Sequence, residues 1–475
     1  MSAIKETFKN TSWLLISQII TSVFGFVWIV LLARYLGVSD FGIMNFAMSL
    51  TLIMSIFIDL GITLYTTRDL SRYPNLAEKY IGNAIPLKAF LSFITFIATL
   101  AILYISNFNL LTTEIVLLFL INTAFLTMGD LFKGVFQAFA KQKYQSFGII
   151  INSSLILIGT FLLIYFNLGL VFVALAYISG SAISLIYLYI KLRDKIIIPK
   201  FELDFSFWKQ SIKKSIPFGI TIIFTTIFYL IDTVMLSFMS GSFAVGIYSS
   251  AYKIITVFTT LYTVYTFVVF PLMSKFYKDS ENLLRISYEK SVKYLIMMML
   301  PIAIGLTIYS HYVVTLIFGN EYLLSGDVLR ILIWNVLFLM VNGASTSLLN
   351  SSNNEVAVTK INGIACLTNV ILNLILIYYL SYIGASIATV ITGFLICIFM
   401  SYIIIRGKYK PNISLIYDIV KISISGLIFG VIIFLANLNF WIAIPVGIVI
   451  YLIALFLTKS LDSTDKAILR EIIGK

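Results

Sequence analysis

The sequence predicts an all-α polytopic membrane protein of fourteen transmembrane helices. Twelve form two parallel six-helix repeats, and two more follow at the C-terminal end. Three observations predict this. The 475 residues are 60% hydrophobic and 11% charged, with a mean hydropathy of +1.01, whereas a soluble domain carries about 25% charge and about half apolar residues. Apolar stretches of about twenty residues, the length that crosses a bilayer, recur from end to end. Two distant stretches also match at one constant spacing: Gly37, Gly42, Ile43 and Ala47 fall on Gly241, Gly246, Ile247 and Ala251 (241 − 37 = 204). The same offset sets Lys9 on Lys213 and Thr11 on Ser215. A constant offset held over about forty residues reads as an internal duplication, the mark of many transporter folds.

The first six spans lie near 11–36, 41–67, 79–105, 112–138, 144–166 and 169–191. Lys5 and Lys9 precede the first without a small-residue cleavage site, so it reads as a retained span and not a signal peptide. A basic linker over 191–214 follows, whose Phe201, Phe205, Phe207 and Trp208 suit a segment lying at the membrane interface. The next six spans lie near 213–239, 243–274, 291–317, 326–349, 355–380 and 384–405, and the last two near 415–436 and 440–458. Each must be a helix, because backbone groups in hydrocarbon have to be satisfied within their own segment. In span thirteen, Gly426 and Gly430 form a small-residue pair that permits close helix packing. The organisation is thus an N-terminal six-helix lobe (1–191), a cytoplasmic linker (192–212), a second lobe (213–405), and two extra helices with a tail (406–475).

Lys and Arg concentrate in 68–79, 139–143, 191–214, 275–293, 406–410 and the tail after Lys459, while the alternate connections are nearly free of them. That asymmetry predicts an even span count with both termini cytoplasmic. It also accounts for most of the net charge of +12, which reflects orientation and contact with anionic head groups, not nucleic acid. The longest polar stretches are too short to fold alone, so no soluble domain is expected. Cys366 and Cys397 sit in apolar segments as packed thiols. With His311 the only histidine, a His-based metal site is not expected. No phosphate-loop motif and no nucleophile–base constellation is present. The reading is therefore of a protein that is not an enzyme, with no cofactor and no metal.

Ionisable groups within spans cost about 2.5–3.5 kcal/mol at mid-membrane, so each needs a partner, a wet cavity or a function. The groups concerned are Arg34, Asp59, Lys88, Asp130, Lys133, Asp232, Lys253 and Arg330. Asp232 and Lys253 flank the turn at 240–242 at similar depth. They read either as a structural ion pair or as a cavity-facing lysine with its counter-ion. Ser249, Lys253, Thr256, Thr260 and Thr263 make one helical stripe, with Thr221, Thr225 and Asp232 on the partner helix and Asn45, Ser49, Asp59 and Thr63 in the first copy. Arg34 reads either as a partner of Asp40 or as part of an outer basic rim, and Arg330 either as a partner of Asp327 or Glu321 or as part of that rim. Lys88 and Lys133 are close enough to the cytoplasmic side to snorkel. Asn362, Asn369 and Asn373 share a face of span eleven, suited to sugar hydroxyls or to bonds between helices.

The stretch Leu32-Ala33-Arg34-Tyr35-Leu36-Gly37-Val38-Ser39-Asp40-Phe41-Gly42 resembles the opening signature of the polysaccharide-biosynthesis flippases. Phe57-Ile58-Asp59-Leu60-Gly61-Ile62, Arg68-Asp69-Leu70-Ser71-Arg72, Gly246-Ile247-Tyr248-Ser249-Ser250-Ala251 and Phe318-Gly319-Asn320-Glu321-Tyr322 continue the likeness. That family belongs to the multidrug/oligosaccharidyl-lipid/polysaccharide exporter superfamily. The resemblance implies two six-helix lobes in a V, alternating access, and transfer of polyprenyl (pyro)phosphate-linked oligosaccharide to the outer leaflet of the cell membrane. It implies cavity bases at Arg34, Lys88 and Lys253. On this reading Arg330, Asn362 and Asn369 join the substrate site, and Asp59, Asp130 or Asp232 takes a coupling H⁺ or Na⁺. The partners are then the lipid-linked oligosaccharide, membrane lipids, and a glycan polymerase or glycosyltransferase. Two other readings stay open: a multidrug or organic-cation antiporter of the same superfamily, and a non-transporting scaffold of a glycan-assembly complex.

Overall fold

The computed structural model describes residues 2–462 and 465, and all regular structure among them is helical. In chain order the helices are α1 (Ser2–Asp59), α2 (Ile62–Arg72), α3 (Ala77–Ile105), α4 (Leu110–Ala138), α5 (Gln142–Tyr165), α6 (Leu170–Lys195) and α7 (Phe205–Asp279). Then come α8 (Glu281–Ile308), α9 (Ser310–Phe318), α10 (Ser325–Ser351), α11 (Glu355–Arg406), α12 (Ile413–Ala436) and α13 (Phe440–Leu457). Eleven helices among the described residues are long and apolar enough to cross a membrane. Large apolar side chains such as Phe93, Leu110, Phe161, Leu374 and Leu435 stand exposed on them, as a lipid-facing surface requires.

Three of the helices are each broken once: α1 at Gly37, α7 at Gly241 and α11 at Ser381. These breaks fall between spans that hydropathy separates: 11–36 from 41–67, 213–239 from 243–274, and 355–380 from 384–405. Gly37 (φ 72°, ψ 176°) and Gly241 (φ 80°, ψ 178°) adopt nearly the same backbone, at a positive φ that glycine reaches without a Cβ penalty. The stretch predicted as span nine is instead α8 and the short α9, which restart at Ser310.

Contacts divide the chain into two compact units, Met1–Ser249 and Ser250–Lys475, with the boundary inside α7. In the first unit, α4 packs on α1, α2 and α6, and α5 packs on α1 and α6. Tyr65, Leu131, Phe136, Leu188 and Trp208 belong to one core cluster there. The two broken helices also meet within this unit, and they meet reciprocally. A Cβ on Gly42 would collide with the carbonyl oxygen of Ser242, and a Cβ on Gly246 with that of Val38. Val38 and Ser242 are themselves related by the offset of 204 (242 − 38), so each copy presents the same glycine to the same carbonyl of the other. In the second unit, α10 packs on α8 and α11, and α12 packs on α8 and α13. Leu300, Ile422, Phe429, Ile433 and Tyr451 form a core cluster.

The linker is partly a strap on the first unit. Glu202 N–H donates to the Gly82 carbonyl (3.1 Å), Asn83 Nδ2 donates to Glu202 Oε2 (2.9 Å), and Asn83 Oδ1 accepts from Asp204 N–H (3.0 Å). Its four aromatics do not share one fate, contrary to the interfacial expectation. Phe201 and Phe205 are exposed, Phe207 stacks edge-on to Tyr80, and Trp208 is buried in the core. The reason is helical phase: α7 begins at Phe205, so successive aromatics point to different sides.

Candidate functional site: ionisable groups within the helices

The end of α1 builds the first site. Leu60 (φ 46°) and Gly61 (φ 82°) turn the chain between α1 and α2, leaving Asp59 at a helix end beside Lys88 of α3. Lys88 Nζ donates to Asp59 Oδ1 (2.6 Å), Thr63 Oγ1 (3.0 Å) and the Thr127 carbonyl (2.6 Å). An ammonium carries three protons, and all three have acceptors. Thr63 returns its hydroxyl proton to Asp59 Oδ1 (2.5 Å). Lys88 is 0% exposed, so it does not snorkel: it is a buried cation held by one carboxylate and two neutral oxygens. Lys133 also pairs, with Asp130 one helical turn away (2.7 Å), and that carboxylate is 54% exposed.

Lys253 in the second unit differs. Among the described residues no carboxylate lies within 4.0 Å of its ammonium. Along its stripe Ser249 is buried, Lys253 and Thr256 are half-buried and Thr260 is exposed, and two hydroxyls bond their own helix: Thr256 to the Lys253 carbonyl (2.7 Å) and Thr260 to the Thr256 carbonyl (3.4 Å). Asp232, in the first unit and 3% exposed, accepts a hydrogen bond from Tyr248 Oη (2.8 Å). The side chains of Thr221, Thr225 and Thr263, which complete the predicted stripes, lie outside the described ones, as do those of Lys5, Lys9 and Thr11.

The arginines are peripheral. Arg34 is exposed, and Arg330, 50% exposed, lies 3.9 Å from Asp327, which also approaches His311 Nε2 at 3.3 Å. The α11 amides do not act as one face. Asn362 is exposed, while buried Asn373 donates to Asn369 Oδ1 (3.0 Å) and Asn369 to Thr392 Oγ1 (3.4 Å). Asn369 thus bonds across to the second half of α11, and Asn373 bonds Asn369 within the first half. Of the predicted residues, the structure brings Asp59 to Lys88, and Asp130 to Lys133.

Sequence reasoning missed two features. The first is the cluster at the start of α8, where Lys293 pairs with Asp418 (2.9 Å) and Asp465 (2.6 Å), and Lys290 and Tyr294 also bond Asp465 (2.6 Å each). Its acids lie on α12 and on the segment after α13, so only the basic half carried a signal. The second is a cavity of about 220 Å³ within the first unit, lined by α1, α4, α5 and α6. Its polar residues, among them Asn122, Asn152 and Tyr177, come from four helices and form no single stripe that periodicity would reveal.

The comparisons with known proteins follow the same lines. A family model described as polysaccharide biosynthesis protein matches residues 7–277, and one described as MatE matches 217–375. An uncharacterized membrane protein of Methanocaldococcus jannaschii is 24% identical over 430 residues, 84% of each chain. A Haloferax volcanii protein named "Probable low-salt glycan biosynthesis flippase Agl15" is 22% identical over 239 residues, 49% of each chain. Among solved structures, a lipid II flippase MurJ in an inward closed conformation superposes with a TM-score of 0.79 at 17% identity, covering 97% of this chain and 99% of that one. At that identity the likeness is one of fold.

Proposed function

The chain belongs to the polysaccharide biosynthesis protein family of the multidrug/oligosaccharidyl-lipid/polysaccharide exporter superfamily, and from that premise we propose that it is a lipid-linked oligosaccharide flippase. Its substrate is a polyprenyl (pyro)phosphate-linked glycan, carried from the cytoplasmic to the outer leaflet of the cell membrane. Counting each of the three broken helices as two spans turns eleven into fourteen, with both termini cytoplasmic. The matching kinks at Gly37 and Gly241 and the reciprocal glycine contacts support two parallel repeats. In such folds one repeat rocks against the other around a fixed site.

The observation that carries the reading is Lys253. A cation in an apolar helix with no carboxylate beside it among the described residues is poised for an anionic guest, and phosphate is such a guest. Arg330 and the exposed Asn362, in the same unit as Lys253, extend the substrate site, and buried Asp232 takes the coupling H⁺ or Na⁺. Asp59 is held by the fully buried Lys88, which favours this reading over an organic-cation antiporter that would use that acid. The test is flipping of a glycan-labelled polyprenyl pyrophosphate in proteoliposomes, scored by an external glycosidase. Wild type is expected to expose the label, and Lys253→Ala to fall to the level of empty vesicles. Transport that survives Lys253→Ala removes the phosphate role from this residue, and efflux of a cationic dye without glycan flipping overturns the flippase reading.

A further inference from the structure

The cavity inside the first unit is not explained by the ion pairs around it. Its volume of about 220 Å³ lies below the roughly 300–1,000 Å³ of a drug-sized site, so it takes one small ring and not an oligosaccharide. Its wall holds Asn122 and Thr123 of α4, Asn152 of α5, Tyr177 of α6, and the rings of Trp28 and Phe119. The aromatic groups already touch: Phe119 and Tyr177 are 5.2 Å apart between ring centroids, and Trp28 stands edge-on to Tyr177 at 6.4 Å.

The polar groups on this wall are under-used. The Asn152 side-chain oxygen is sealed from water and has no hydrogen-bond partner among the described residues, and the Tyr177 hydroxyl is sealed with only the Trp28 indole beside it. Tyr177 is 5% exposed. A Cβ on Gly180 would sit 3.0 Å from the Asn152 oxygen, so that oxygen faces α6. The polar side chains of a roomy cavity wall take a ligand or ordered water.

The chemistry of the wall selects among ligands. No carboxylate lines it, which argues against a metal or organic cation. The one charged lining group, Lys133, is already neutralised by Asp130 at 2.7 Å, which argues against an anion, since a buried charge needs a partner. What remains is a guest whose groups both donate and accept, as hydroxyls do, and which has an apolar face for aromatic rings. We propose that this cavity is a subsite for one uncharged glycosyl residue. The inference rests on the flippase reading for the origin of the sugar, but its test does not require transport.

The experiment uses the full-length protein in detergent micelles and follows intrinsic tryptophan fluorescence during titration with methyl α-D-glucopyranoside, methyl α-D-mannopyranoside, methyl N-acetyl-β-D-glucosaminide and methyl β-D-glucuronide. At least one neutral glycoside is expected to quench saturably in the millimolar range, with the glucuronide inactive. The quench should vanish in Trp28→Phe and weaken at least tenfold in Asn122→Leu/Asn152→Leu. Asn122→Ser/Asn152→Ser serves if the leucine pair does not fold, as judged by melting temperature and elution volume. No saturable quench by any neutral glycoside overturns the proposal, as does a quench that survives Trp28→Phe or the paired substitutions. Glycan flipping without glycoside binding sinks the subsite alone; glycoside binding without flipping sinks the transport reading alone.

Discussion

Lys88 and Lys253 are both lysines inside apolar helices, and the structure treats them in opposite ways. Lys88, in the first unit, is 0% exposed and spends all three ammonium protons on Asp59, Thr63 and Thr127. Lys253, in the second, is half-buried with no carboxylate within 4.0 Å among the described residues. The same residue type at the same apparent cost is a structural pin in one place and a vacant cation in the other. Charge within a span is therefore not itself a sign of function; a charge left without its counter-ion is.

The sharpest way to break this contrast is to exchange the consequences of the two lysines. Lys253→Ala is expected to abolish glycan flipping while leaving the melting temperature within about 2 °C of wild type, because no partner is orphaned and such changes stay within about 0.5 kcal/mol. A large fall in melting temperature would make Lys253 structural after all. Lys88→Ala should do the reverse and cost about 3–5 kcal/mol, since it strands the Asp59 carboxylate among buried groups. Denaturant unfolding of the purified protein reads this directly, and Lys88→Met with Asp59→Leu should recover most of the loss. If the double substitution is as damaging as the single, the pair does more than hold helices together.

A smaller effect tests whether the first unit is static around its pin. Gly42→Ala pushes a methyl against the Ser242 carbonyl, and overpacking of this kind costs about 1–3 kcal/mol. Loss of flipping at unchanged stability would instead mark the glycine contact as one that opens during transport. The smallest effect concerns Lys293, which is paired as Lys88 is. Burial raises the Asp465 carboxyl, but hydrogen bonds from Lys290, Lys293 and Tyr294 outweigh it, so its pKa sits below the ordinary carboxylate value. A depressed pKa gives stability that is present above the unfolded-state value and is lost as pH falls through the folded one. Asp465→Asn should therefore flatten the acid limb of the stability–pH profile below about pH 4, and leave neutral-pH flipping intact. An unchanged acid limb would remove Asp465 from the account.

Helices, their breaks and the membrane class were legible because they depend on neighbours in sequence. Hydropathy over twenty residues marks a helix in lipid whatever packs beside it, and a repeated glycine at an offset of 204 predicted two kinks that share one backbone conformation. The stretch near 291–317 resisted, because hydropathy runs unbroken through the restart between α8 and α9 at Ser310. What only the tertiary structure decided is which polar groups meet. Asp59 and Lys88 are 29 residues apart and on different helices, and Asn122, Asn152 and Tyr177 converge from three. Trp208 went to the core while Phe205, three residues earlier, stayed outside. Partnership depends on the rotation and depth at which packed helices settle, and those follow from the fit of whole surfaces, which no local window of sequence contains.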